Sequence, residues 1–186
     1  MLCPKNRISS REVETFVSVL FGRGLVSRCS TSEKGFESLE PYKTKCAIFI
    51  AAGFGSRLSP VTLLIAEPLV KVHGVRIIDT LIDSAMATGI EEIYVVCGYP
   101  GEHFEHLKEK YPNLNLVTNS MYTESNNVSS VFLVCDKVRN AYISEANPSL
   151  HKQVFDKYVF HSCYLGIPTE EPDDWYSKTN SQGCIC

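Results

Sequence analysis

An unbroken apolar run at residues 46–51, Cys-Ala-Ile-Phe-Ile-Ala, leads directly into the glycine-rich segment 53–57, Gly-Phe-Gly-Ser-Arg. An apolar run of this length without polar alternation is typical of a strand buried on both faces of a parallel sheet. The two glycines allow the backbone to approach a ligand closely and to direct amides at an anion, and Arg57 can fork onto phosphate oxygens. The pattern predicts a buried strand followed by a phosphate-binding loop, with a tight turn that binds no ligand as the alternative.

The segments after this loop alternate between two kinds of apolar pattern. Short apolar runs predict strands, and apolar residues at helical spacing predict helices. The predicted strands are 46–51, 93–97, 114–118 and 141–144, and the helical or amphipathic segments are 76–88, 101–111 and 127–138. This alternation is typical of βαβ units. We therefore expect an α/β domain over residues 44–186 with a Rossmann-like, mostly parallel sheet.

The composition excludes several classes of protein. A formal net charge of −3 over 186 residues does not suit a general nucleic-acid binder. Hydrophobic residues make up 44% of the chain, enough for a core, and no apolar run approaches the ~20 residues that a membrane helix needs. The 8 cysteines are scattered, without metal-site spacing or a signal peptide, so we expect reduced thiols and a cytoplasmic protein.

Residues 1–43 differ in charge from the rest of the chain. They hold 7 basic and 5 acidic side chains, whereas residues 44–186 hold 11 and 16. We expect a helix from Ser9 or Ser10 to about Phe21, a short strand at 25–28 and a second helix at 32–39. The chain is therefore divided into a small segment, 1–43, and a larger domain.

Three runs in the larger domain carry a family resemblance. They are Ala-Ala-Gly-x-Gly-Ser-Arg-Leu at 51–58, Pro-Val-Thr at 60–62 and Pro-Leu-Val-Lys-Val-His-Gly at 68–74. Together they resemble the amino-terminal signature of nucleotidyltransferases that join a nucleoside triphosphate to a phosphorylated sugar or alcohol. Residues 98–104 and 122–130 look most like bacterial CTP:phosphocholine cytidylyltransferases. The resemblance implies transfer of CMP from CTP to phosphocholine with release of pyrophosphate, and Mg²⁺ as cofactor.

The resemblance also implies roles for individual residues. Arg57 would stabilise the departing pyrophosphate. The nucleotide and its triphosphate would contact Ala51, Ala52, Gly53, Gly55, Ser56, Asn126, Asn127 and Ser129. For Asn126, capping of the following helix is the alternative. Choline would need an aromatic box, for which Trp175, Tyr164 and Tyr176 are candidates by residue type alone, although core or surface roles are the simpler interpretation.

The sequence departs from the family pattern at two sites. Glu67 stands where the family carries a phosphate-binding lysine, and we do not expect Lys71 to replace it, because relatives commonly have a basic residue there as well. Asn147 stands where relatives place an aspartate that helps to hold Mg²⁺, while Glu145 remains as a carboxylate. Residues 173–176 resemble the start of the family's later substrate-binding region, and the chain ends at Cys186 soon after it, so the domain is expected to be incomplete at its carboxyl end.

Residues 22–42 resemble the wing end of a winged-helix module, of which only the second half is present. We do not expect this remnant to bind nucleic acid, and a transcriptional regulator is the least supported function. The main alternatives to a cytidylyltransferase are a catalytically inactive nucleotide-binding or protein-interaction module and a sugar-1-phosphate nucleotidyltransferase.

Overall fold

The computed structural model describes residues 9–27, 30–53, 55–98, 101–124, 127–164, 178 and 180. The described residues belong to two compact units, of which the larger is Tyr42–Val159. No helix in these described ranges is long and apolar enough to cross a bilayer.

The smaller unit begins with a capped helix. Helix α1, Ser10–Gly22, starts at a capping box in which Ser9 Oγ accepts from the Glu12 amide at 3.3 Å and Glu12 accepts from the Ser9 amide at 2.8 Å. Two short strands follow, β1, Val26–Ser27, and β2, Ser30–Thr31, and they pair antiparallel. Helix α2 is Glu33–Leu39. Both predicted helices of this segment are confirmed, and the predicted strand is shorter than 25–28 within the described residues.

The larger unit contains an alternation of strands and helices close to the predicted one. Its elements are β3 Cys46–Ala51, β4 Lys71–Val72, β5 Val75–Arg76, α3 Ile77–Ala87, β6 Glu92–Cys97, α4 Leu107–Lys110, β7 Leu114–Thr118, α5 Asn127–Leu133 and β8 Ala141–Glu145. Four strands form one sheet in the order β7-β6-β3-β8, and every pairing in it is parallel. The expected Rossmann-like parallel sheet is therefore confirmed.

The core lies mainly on one face of this sheet. All six residues of β3 are buried, and α3 packs its apolar face against the sheet. The buried residues on that side include Phe49, Ile78, Leu81, Ile82, Val95 and Phe155. The opposite face has a smaller cluster of Cys46, Ile48, Val96 and Val134. Each fully buried large side chain contributes about 1.5–3 kcal/mol, so β3 is fixed firmly and its carboxyl end is held in place.

Two predicted helices are shorter in the structure. Residues 101–111 form a 3₁₀ turn at Gly101–Phe104 and then the four-residue α4. Their apolar residues, Phe104, Leu107 and Tyr111, are nonetheless all buried. Apolar residues spaced three and four apart fit both a 3₁₀ turn and an α-helix, so the pattern alone does not distinguish the two. Residues 127–138 form α5, which ends at Leu133, and a 3₁₀ turn at Cys135–Lys137.

A polar cluster joins α3 to the segment before β7. Asp79, in the first turn of α3, is buried and accepts from Arg76 Nε at 3.1 Å. The Tyr111 hydroxyl lies 3.2 Å from Asp79 Oδ1 and 2.7 Å from Asp83 Oδ1. Burial, followed by the hydrogen bond to Asp83 and the nearby carboxylates, raises the pKa of Tyr111 well above its ordinary value. The hydroxyl therefore stays protonated and keeps the two elements together.

Candidate functional site

The chain changes direction across the sheet between β3 and β8. It starts at β3, moves outward to β6 and β7, and then returns to the other side of β3 as β8. Open parallel sheets bind ligands outside the carboxyl ends of their strands at such a switch point. The two strands end at the same level, since Ile50 pairs with Glu145 and the Ala146 amide donates to the Ile50 carbonyl at 2.9 Å. This register brings the glycine loop after β3 close to the end of β8.

The glycine loop is a tight turn with available amides. Gly55 has φ +62°, and its carbonyl accepts from Thr62 Oγ1 at 2.7 Å and from the Leu58 amide at 3.0 Å. Within the described residues, the amides of Gly55 and Ser56 donate no hydrogen bond. Such amides suit an anion. The Arg57 side chain lies outside what the structure describes, so its proposed role stays a prediction.

Glu67 lies directly against this loop. A Cβ built on Gly55 would be 3.0 Å from Glu67 Cβ and 3.2 Å from Glu67 Oε2. The backbone here is a 3₁₀ turn, Glu67–Leu69, in which Pro68 and Leu69 are buried. The residue at the family's lysine position is thus next to the expected phosphate site, with the opposite charge. Lys71 is exposed on β4, in an antiparallel ribbon with β5 that the sequence analysis did not predict.

The first residue of α5 reaches the end of β8. Asn127 Nδ2 donates a hydrogen bond to Glu145 Oε1. Ser129 Oγ accepts from Asn119 Nδ2 at 2.9 Å, so it has a structural partner in addition to the predicted nucleotide contact. Asn126 lies outside the described residues. The structure therefore brings Asn127, Glu145 and the glycine loop to one edge of the sheet, and the nucleotide contacts themselves stay predictions.

Sequence reasoning did not identify Asn119 as a residue that shapes this edge. Its side chain is 2% exposed. It donates to Ser129 and Ser130, accepts from the Met121 amide at 2.9 Å, and its own amide donates to the Cys97 carbonyl at 2.8 Å. Asn119 thus joins the ends of β6 and β7 to α5. The available signal was a polar residue directly after a predicted strand.

Tyr122 and Gly98 form a second contact that was not predicted. A Cβ on Gly98 would lie 2.8 Å from Tyr122 Cδ2 and 2.9 Å from the Ala52 carbonyl oxygen. The Tyr122 ring therefore lies over the backbone just after β6 and close to the start of the glycine loop. Only glycine permits this close approach without a shift.

The end of β8 supplies oxygen donors of the kind that Mg²⁺ prefers. Glu145 and Asn147 are exposed on either side of the buried Ala146. Mg²⁺ is commonly held by one or two carboxylates together with substrate phosphates and water. Across the described ranges, no group of three or more His, Cys, Asp or Glu residues could hold a metal by itself. The donor set fits a cation that is shared with a nucleotide rather than a closed protein site.

Of the three aromatic residues named as candidates by type alone for a choline box, the structure describes only Tyr164. Tyr164 is 72% exposed. Trp175 and Tyr176 lie outside the described residues. An acceptor pocket is therefore not part of the site defined here.

Comparisons with known proteins identify the family of this chain. The profile of the family described as Nucleotidyl transferase matches residues 46–146, which begin with β3 and end just after β8. The chain belongs to this family. The nucleotidyltransferase family expected from the glycine-rich signature is therefore confirmed.

Individual relatives are cytidylyltransferases. The chain is 36% identical over 143 residues to the 2-aminoethylphosphonate cytidylyltransferase of Lancefieldella rimae, covering 75% of this chain and 58% of that protein. It is 35% identical over 131 residues to the choline-phosphate cytidylyltransferase of Streptococcus pneumoniae, covering 70% and 57% respectively. A solved structure of CTP:phosphocholine cytidylyltransferase from Streptococcus pneumoniae superposes with a TM-score of 0.58 at 36% identity, covering 62% of this chain and 50% of that one. This nucleotidyltransferase chain thus spans less than three-fifths of these relatives' length.

Proposed function

We propose that this chain is a cytidylyltransferase-type domain that binds CTP at the carboxyl ends of β3 and β8 and transfers CMP to a phosphorylated or phosphonylated small molecule. The observation that carries the proposal is the meeting of the glycine loop with the Asn127–Glu145 pair at the switch point of the sheet. The identity to two cytidylyltransferases supports CTP as the nucleotide and phosphocholine or 2-aminoethylphosphonate as the acceptor.

In the proposed reaction an acceptor oxygen attacks the α-phosphorus of CTP. One phosphorus–oxygen bond forms, the bond from the α-phosphorus to the oxygen that bridges to the β-phosphate breaks, and pyrophosphate leaves. The reaction needs in-line positioning and neutralisation of charge more than a protein nucleophile. The amides of Gly55 and Ser56 would hold phosphate oxygens, and Arg57 would stabilise the leaving pyrophosphate.

We include Mg²⁺ in the proposal. Glu145 and Asn147 would hold it through a carboxylate and an amide oxygen, and Asn127 would orient the Glu145 carboxylate. When bound, the cation would neutralise charge on the phosphates. Because Asn147 offers no charge, we expect weaker metal binding than an aspartate would give.

Pyrophosphate release tests the function directly. The protein is incubated with CTP and Mg²⁺ and with phosphocholine, 2-aminoethylphosphonate or a sugar-1-phosphate in separate reactions, and each reaction is repeated with ATP, GTP and UTP. Release with CTP and one of the first two acceptors supports the proposal. Release only with a sugar-1-phosphate, or with another nucleotide alone, refutes the cytidylyltransferase assignment.

A domain that binds CTP without turnover is the second candidate, and Glu67 and Asn147 favour it. The double variant Glu67→Lys, Asn147→Asp restores both family residues. If this variant releases pyrophosphate and the wild type does not, the two substitutions alone suppress activity. If neither does, these substitutions are not the sole cause.

Two further expectations belong to the proposal. We infer a cytoplasmic location, supported by the free thiols of all four cysteines within the described residues: Cys46, Cys97, Cys135 and Cys163.

We also infer that residues 22–42 derive from a winged-helix module, supported by the antiparallel pairing of β1 with β2 between two helices. A DNA-binding titration of the full protein tests whether the segment retains the nucleic-acid binding of such a module, which we do not expect.

A further inference from the structure

Glu67 is a carboxylate next to a loop whose free amides favour an anion. Its Oε2 lies within 3.2 Å of the position of a Cβ on Gly55, yet no hydrogen bond joins it to the Gly55 or Ser56 amide. The carboxylate therefore does not satisfy these donors. A phosphate group that accepts from them would come close to Glu67.

Within the described residues, the charge of Glu67 has no ion-pair partner and its backbone is fixed in place. Among the residues that the structure describes, no lysine, arginine or histidine forms an ion pair with it. Its backbone is held by the buried Pro68 and Leu69, and Leu69 donates to the Ala66 carbonyl at 2.8 Å. Movement away from the loop is thus limited to rotation of a side chain that is already half-buried.

From this geometry we infer that Glu67 makes the site selective for a nucleotide triphosphate complexed with a divalent cation over the free triphosphate. The inference rests on the proposed function. Like charges a few ångströms apart in a partly desolvated site repel strongly, and salt screens them less than it screens exposed charges. A divalent cation on the triphosphate cancels part of its charge and can be shared with the carboxylate. A lysine at this position would instead attract both forms, and the more highly charged free triphosphate more strongly.

Calorimetric titration of the full chain with CTP tests this selectivity. The affinity for CTP is measured in excess Mg²⁺ and in EDTA at constant ionic strength. The ratio of the affinity in Mg²⁺ to the affinity in EDTA is then compared between proteins. We expect Glu67→Gln to lower this ratio about tenfold, equivalent to 1.4 kcal/mol, mainly by strengthening binding in EDTA. Glu67→Asp retains the charge and is expected to retain most of the wild-type ratio.

The matched control is Glu91→Gln, which removes an equal charge at an exposed position just before β6, at the opposite end of the sheet. It should leave the ratio within twofold of wild type. The inference is overturned if Glu67→Gln also leaves the ratio within twofold, or if wild type binds CTP equally in both buffers; in either case CTP binding, and with it the proposed function, stands. Absence of CTP binding in all four proteins, each shown to be folded by circular dichroism, overturns the proposed function together with the inference.

Discussion

Replacing Gly55 by alanine should destabilise the fold through backbone strain and close contacts in the glycine loop. Gly55 has φ +62°, where an L-residue with a Cβ is strained by about 1–2 kcal/mol. The new methyl would also lie 2.8 Å from Thr62 Cγ2 and 3.0 Å from Glu67 Cβ, so both neighbours must shift. Thr62 Oγ1 donates to the Gly55 carbonyl at 2.7 Å, and loss of that hydrogen bond adds about 1 kcal/mol. We expect a total loss of about 2–3 kcal/mol.

Gly53→Ala is the matched control in the same loop. Nothing lies within 4 Å of a Cβ at Gly53, and its φ is outside the left-handed region. We expect its free energy of unfolding to stay within about 0.5 kcal/mol of wild type. If the loop binds a triphosphate closely, Gly53→Ala still weakens CTP binding, because its methyl occupies the space of the ligand.

Urea unfolding followed by far-ultraviolet circular dichroism measures both variants. A decrease in midpoint at unchanged m reports a loss of stability without a change in the surface exposed on unfolding. A Gly55→Ala protein that unfolds at the same urea concentration as Gly53→Ala refutes the reasoning, since strain and contacts should separate them by at least 1.5 kcal/mol.

Three further perturbations test other contacts. Asn119→Ala should destabilise the domain by about 2–3 kcal/mol, because it leaves the buried Ser130 hydroxyl and the Met121 amide without a partner; urea unfolding measures the loss. Tyr111→Phe should cost about 1–2 kcal/mol in the same assay, because it removes a partly buried hydroxyl from Asp83. Burial raises the pKa of the Cys97 thiol to about 12 from 9.0, so the folded state keeps this proton where the unfolded state loses it. The contribution of Cys97 to the free energy of unfolding is therefore fully present below pH 9 and decreases as the pH rises towards 12, by up to 1.4 kcal/mol per pH unit. Cys97→Ala should reduce this slope, which urea unfolding at a series of pH values from 8 to 10.5 measures.

The asparagine and tyrosine variants each have a control at a residue of the same type. For Asn119, which directly follows β7, the control is Asn115→Ala on β7 itself. This change removes only long hydrogen bonds of 3.3 and 3.4 Å from an exposed residue and should cost less than about 0.5 kcal/mol. Tyr94→Phe removes a hydroxyl whose partner, Glu92, is exposed, and should cost similarly little. Equal losses in variant and control contradict the buried-contact argument. An unchanged pH slope in Cys97→Ala contradicts the assignment of the slope to this thiol.

The sheet was predictable because its signals are local. The run at 46–51 has no polar residue, and a strand that is buried on both faces needs none. The order of the strands is not local, and the site depends on it. Nothing in the sequence near Glu145 shows that it lies beside β3 and that Asn127 reaches it, although both residues were predicted to act in one site.

Other parts of the site could not be predicted because they depend on close approaches between distant segments. Glu67 is recognisable as a charge reversal from its position in a motif, but its contact with Gly55 requires the intervening loop to fold back on itself. Asn119 is a polar residue after a strand, like many others, and its role becomes visible only when Ser129 and Ser130 meet it. The same applies to Tyr122 over Gly98.

The two departures from the family pattern act in opposite directions on a cation. In the proposed site, Glu67 would place a negative charge beside the phosphates where the family signature has a lysine, and this would increase the need for a cation there. In the same proposal, Asn147 would offer an amide oxygen where the family signature has a carboxylate, and this would reduce the capacity of the protein to hold that cation before the nucleotide arrives. With Glu145 as the remaining carboxylate at the end of β8, the cation is then expected to enter with the nucleotide rather than ahead of it. The apparent affinity of the protein for Mg²⁺ should consequently rise steeply with CTP concentration. Tight binding of Mg²⁺ to the nucleotide-free protein contradicts this account.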